Sequence, residues 1–111
     1  MEFQELQVRD ELIAVDFQKM PWTPVRAFTV TASQDEQERG NHITGSNEYV
    51  ILVNGSVSFE VTLSDGTKNE VQLNSSGESF YMDATSFVKY TLLEKGSTIL
   101  VFSDRSYEAR D

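Results

Sequence analysis

Residues 39–55, RGNHITGSNEYVILVNG, carry the densest structural signal in the chain. Arg39-Gly40 marks a turn, and His42, the single histidine, follows it. Glu48 and Tyr49 lead into an apolar run, Val50-Ile51-Leu52-Val53, which Asn54-Gly55 closes. Asn-Gly between apolar runs is the strongest short-range hairpin signal, because a type I′ turn needs positive φ at both central residues. The stretch therefore predicts a polar strand, a buried strand and a tight hairpin into the strand that follows.

Downstream, Val57, Phe59, Val61 and Leu63 share one face while Ser58, Glu60 and Thr62 share the other, a period of two. Asp65-Gly66 reads as a second I′-type turn, after which Lys68–Leu73 returns with Val71 and Leu73 inward. Residues 78–82, 87–93 and 98–102 read as further strands, and SDRSYEARD (103–111) as a solvent-exposed tail. Upstream, residues 25–32 (VRAFTVTA) are strand-like and 33–38 (SQDEQE) a solvated loop. Pro21 and Pro24 around Trp22 break any helix or central strand. Residues 12–15 form a short strand, and the polar residues 1–11 read as a frayed terminus or a strand lent to a neighbouring copy. No segment carries helical periodicity. About eight to ten short antiparallel strands with frequent turns predict an all-β sandwich or barrel, and the long hairpins point to a jelly roll.

A chain of 111 residues with 39% hydrophobic content suits a single domain spanning 1–111. It has no cysteine, no apolar run long enough to span a membrane and no signal-peptide pattern, so a soluble cytoplasmic protein is expected. A net charge of −9 argues against a nucleic-acid partner, although a few arginines gathered at one site can still hold a small anion.

Written from Gly40, the stretch G-N-His42-I-Thr44-GSN-Glu48-YVILVN-Gly55 resembles the first cupin motif, in which two histidines one residue apart precede Glu and then Gly. With Arg39-Gly40-x-His42, the VILVNGSVSFEVTLSDG segment and the strand beginning VRAF, residues 12–104 resemble the dTDP-sugar 3,4-ketoisomerase family of cupins (WxcM-like, FdtA/QdtA-type). The resemblance implies a small jelly-roll barrel, a homodimer exchanging N-terminal strands, and a metal-free, cofactor-free site at the barrel mouth for a nucleotide-linked sugar. The implied reaction moves a keto group from C4 to C3 through an enediol. Thr44 stands where the family has its second histidine, Phe87-Val88 where it has Trp-His, and Thr29 where it favours an aromatic.

Metal-binding cupins need about three converging ligands, and the motif positions here offer only His42 and Glu48. His42, Thr44, Ser46 and Glu48 share parity with Val50 and Leu52, so they point to one face if no bulge intervenes. Two readings of His42 and Glu48 stand at this stage: an acid–base pair, or a hydrogen-bonded polar pair inside a barrel. Arg39, beside Asp35, Glu36 and Glu38, is either a surface ion-pair partner or a ligand for the sugar or its diphosphate. Arg26 is a candidate of the same kind. Thr44 could donate a hydrogen bond to a sugar oxygen but is no base, and Tyr81 and Lys89 are expected at the pocket mouth. Trp22 is expected at a dimer contact. The alternative function is a non-catalytic cupin that binds or regulates a partner after losing its acid–base residues.

Overall fold

Among the described residues, period-two patterning becomes ten strands: β1 (Gln7–Arg9), β2 (Leu12–Ala14), β3 (Arg26–Thr31), β4 (Gln37–Ile43), β5 (Glu48–Asn54), β6 (Val57–Thr62), β7 (Lys68–Leu73), β8 (Ser79–Met82), β9 (Phe87–Leu92) and β10 (Thr98–Ser103). A 3-10 turn, Phe17–Lys19, is capped by Asp16, whose side chain accepts a hydrogen bond from the Gln18 N–H. The computed structural model describes residues 7–9, as backbone only, and 12–106. The expectations for an exchanged N-terminal strand and an exposed C-terminal tail fall largely outside those residues. Within them, β1 pairs with β2 of the same chain, and Ser103, placed in the tail by the sequence, is only 1% exposed.

Two four-stranded antiparallel sheets, β3-β10-β5-β8 and β4-β9-β6-β7, share one core and make a cupin jelly roll. The expected β5–β6 hairpin is absent. β5 pairs with β10 and β8, and β6 with β9 and β7, so Asn54-Gly55 hands the chain from one sheet to the other. Gly55 has φ 81 whereas Asn54 is not among the positive-φ residues, which excludes a type I′ turn. The apolar run is the reason. Tyr49, Val50, Ile51 and Leu52 are all at most 1% exposed, so β5 must be covered on both faces, as an interior strand is. Asp65-Gly66 does close a true hairpin, β6–β7, but by a three-residue loop. Gly66 N–H donates to the Leu63 carbonyl at 2.9 Å, Leu63 N–H donates to the Thr67 carbonyl at 2.8 Å, and only Gly66 has positive φ. That is a type I turn with a glycine bulge.

Alternate β5 side chains sort into two clusters. Val50 and Leu52 enter the core between the sheets with Val57, Phe59, Val61, Phe80, Val88 and Val101. Tyr49 and Ile51 face outward and are covered by Met20, Phe102, Trp22, Tyr81 and Ile13. Each such side chain fully buried contributes about 1.5–3 kcal/mol. Trp22 packs edge-on to Tyr81 of its own chain, with ring centroids 6.1 Å apart. Among the described residues no helix is long and apolar enough to cross a membrane.

Candidate active site

A bulge in β4 builds the site. Arg39 lies opposite Tyr90 and Gly40 opposite Lys89, but His42, not Asn41, lies opposite Val88. In an uninterrupted strand Arg39 and His42 would point to opposite faces. The extra residue, Asn41 with φ 62, resets the alternation, and both side chains turn inward with their partners Tyr90 and Val88. Gly40 is required there: its φ is +93, and a Cβ would fall 2.8 Å from the Val88 carbonyl oxygen and 3.3 Å from Tyr90 Cδ1.

These residues border a cavity of about 670 Å³, within the range of small-ligand pockets. Its floor is apolar, made by Val50, Phe59, Val88, Ile99 and Val101, and its polar rim includes Arg26, Glu38, Arg39, His42, Glu48 and Tyr90. Two of the nine basic residues of an acidic chain thus meet at one opening. Arg26 lies over the Phe28 ring, 4.4 Å from its centroid.

His42 is exposed at the rim, and its Nδ1 is 3.0 Å from the Ile43 carbonyl oxygen. A carbonyl only accepts, so Nδ1 carries the proton and Nε2 is the basic nitrogen of the neutral ring. Glu48 is 7% exposed and is held by a chain of hydroxyls. Ser46 Oγ donates to Glu48 Oε2 at 3.2 Å, Ser103 Oγ donates to Ser46 Oγ at 3.0 Å, and Arg105 N–H donates to Ser103 Oγ at 3.2 Å. The 44–47 loop carrying these groups is clamped by Asn47, whose Nδ2 donates to Asp104 Oδ2 at 2.9 Å and whose Oδ1 accepts from Ala84 N–H at 3.0 Å.

Arg26, Arg39, His42 and Glu48 border the cavity; Thr44, Tyr81 and Lys89 do not. Thr44 is fully buried, with Oγ1 donating to the Asp83 carbonyl at 2.7 Å, because β4 ends at Ile43 and the strand parity stops applying. Tyr81 opposes Tyr49 across β8–β5 and stacks on it at 4.5 Å, on the outer face; its neighbours Phe80 and Met82 face the core. Lys89 sits between the inward Val88 and Tyr90 and so projects outward, beside Glu60 and Glu70.

Tyr90 is the site residue that sequence reading missed. Its parity with Val88 would have found it. The ring stacks on Phe59 with centroids 4.9 Å apart, and Arg39 lies directly opposite Tyr90 across the β4–β9 pair. Burial raises the phenol pKa above its ordinary value of 10.0, Arg39 pulls it back, and the Glu48 carboxylate adds to the rise. Among the described residues no group of three His, Cys, Asp or Glu side chains is placed to hold a metal ion.

The fold is shared with solved structures. QdtA, a sugar 3,4-ketoisomerase from Thermoanaerobacterium thermosaccharolyticum solved with TDP, superposes with a TM-score of 0.83 at 18% identity, covering 96% of this chain and 82% of that one. The WlaRB TDP-quinovose 3,4-ketoisomerase from Campylobacter jejuni gives 0.83 at 22% identity, covering 97% and 87%. The dTDP-4-dehydrorhamnose 3,5-epimerase from Bacillus anthracis gives 0.79 at 10% identity, covering 95% and 71%. No curated protein matches the chain in sequence. The family described as FdtA, WxcM-like, C-terminal matches residues 1–111, and with the cupin fold already built from its strands, this chain belongs to that family.

Proposed function

We propose that this cupin binds a nucleotide-linked 4-keto-6-deoxy sugar and moves its keto group from C4 to C3 by metal-independent proton transfer through an enediol. The observation that carries the reading is one cavity bordered by a tautomer-fixed imidazole, a nearly buried carboxylate and two guanidiniums. Arg26 and Arg39 supply positive charge for the sugar or its diphosphate. His42 Nε2 takes the C3 proton, and Glu48, steadied by Ser46, favours the imidazolium that results. QdtA, a 3,4-ketoisomerase solved with TDP, and WlaRB, named a TDP-quinovose 3,4-ketoisomerase, support the ligand class. A homodimer is part of this reading, and light scattering on the purified protein tests it.

Thermal stabilisation by TDP tests binding: a ligand at about 100 times its Kd adds about 2.7 kcal/mol. Conversion of TDP-4-keto-6-deoxyglucose, followed by NMR, tests turnover, and His42→Ala is expected to lower it about 10²–10⁴-fold. Absence of any shift with millimolar TDP would sink the reading. A second reading, a non-catalytic binding module, is favoured by Thr44 and Val88 at the family's histidine positions, the first engaged with the Asp83 carbonyl and the second apolar. It expects binding without turnover in both proteins.

A further inference from the structure

Moving a carbonyl between adjacent carbons needs a group that gives a proton to one oxygen and takes one from its neighbour. The residues already assigned do not meet that need. The His42 ring offers a basic Nε2, Glu48 Oε2 is already engaged as the acceptor of the Ser46 hydroxyl, and Arg26 and Arg39 donate without releasing a proton. The Thr29 hydroxyl at the rim is far too weak an acid. Tyr90 is different: a phenol both donates and accepts, its ring borders the cavity, and Arg39, its cross-strand partner, borders the same cavity. The cross-strand neighbours of Tyr90 are Arg39 on β4 and Phe59 on β6, and Phe59 stacks on its ring.

We infer that Tyr90 is the proton donor of this site, giving its phenolic proton to the C4 oxygen while His42 removes the proton at C3, with Arg39 stabilising the phenolate. The inference rests on the ketoisomerase reading above. In the first half, the C3–H bond breaks toward Nε2 and its electron pair forms the C3=C4 double bond. The carbonyl π pair then becomes an O–H bond to the phenol's proton. In the second half, the imidazolium returns a proton to C4, the O3–H bond gives its proton to the phenolate, and a C3 carbonyl results. Both protein groups end as they began, and no oxidant or reductant is consumed. Burial keeps the phenol protonated at neutral pH, as a donor must be.

Tyr90→Phe tests this, because it keeps the ring stacked on Phe59 and removes only the hydroxyl. With TDP-4-keto-6-deoxyglucose in D2O, exchange of the C3 hydrogen is expected to slow about 10²–10³-fold while TDP affinity stays within about twofold. A fluorinated tyrosine at position 90, whose phenol is more acidic, is expected to move the alkaline limb of the rate profile to lower pH. Wild-type exchange rates in Tyr90→Phe would overturn the inference, and so would a loss of TDP affinity that accounts for the whole effect. A wild-type protein that binds TDP but exchanges no hydrogen would overturn the ketoisomerase reading itself and this inference with it, a result visible before any variant is made.

Discussion

Gly40→Ala is expected to destabilise the protein by about 2–5 kcal/mol and to cost it nucleotide affinity. At φ +93 an L-residue is disfavoured by about 1–2 kcal/mol whatever surrounds it. The new Cβ would also meet the Val88 carbonyl oxygen at 2.8 Å and the Lys89 Cα at 3.3 Å. Those atoms are backbone of β9, which is paired on one side with β4 and on the other with β6, so they cannot swing aside. Forcing a methyl into such a place costs about 1–3 kcal/mol more. The sum is a large share of the roughly 5–15 kcal/mol that holds a domain together. Gly66→Ala provides the control: its φ is +88, but no atom lies within 4 Å of the added carbon, so only the backbone term applies. Urea midpoints of the two variants, with TDP calorimetry on each, separate the terms. If Gly40→Ala proves no more damaging than Gly66→Ala, the packing argument for the bulge is wrong.

Thr44→Val is expected to cost about 1–3 kcal/mol in urea unfolding, by removing the hydrogen bond to the Asp83 carbonyl, and to leave TDP affinity unchanged. Asn47→Ala is expected to cost about 2–3 kcal/mol, since Asp104 and the Ala84 N–H both lose a partner, and to weaken TDP binding as the loop holding Ser46 and Glu48 loosens. Lys89→Ala, on the outer face, should leave the TDP Kd unaltered in calorimetry. Tyr49 and Tyr90 both have phenol pKa values raised by burial above 10.0. The stability tied to their neutral forms is complete below that value and is lost as pH rises above it through the raised ones, so urea midpoints should fall as pH is taken above 10.0, less steeply in Tyr90→Phe.

Strand existence was legible because period two survives in segments such as 57–63, whose odd residues do face the core. Pairing was not. Asn54-Gly55 announces a reversal, but nothing in it says that β5 turns away from β6, because partners are chosen by which faces need covering. The site divided along the same line. Glu48 followed from its parity with Val50 and Leu52, but His42 lies on a separate strand where its pairing with Val88 turns it inward, and Arg39 reaches the cavity only through Asn41, an inserted residue that no alternation rule foresees. Tyr81 and Lys89 could have been placed correctly from their inward neighbours Phe80, Met82, Val88 and Tyr90. Thr44 could not, since its role depends on the loop at Asp83, distant in sequence.

Of the strand pairs in the described structure, only β1–β2 and β6–β7 join neighbours along the chain; β3–β10, β5–β10, β5–β8, β4–β9 and β6–β9 all close long loops. Such a chain cannot assemble by local zippering. It must lose much of its loop entropy before non-local pairing rewards it, which places folding in the millisecond-to-second range of all-β domains. The β6–β7 ribbon, complete by Leu73, is ready as a nucleus while the chain is still being synthesised, whereas β10, the centre of the opposite sheet, emerges last. Until it arrives, β3 and β5 have unsatisfied edges, and any ligand or chaperone that shields them then would raise the yield of folded protein.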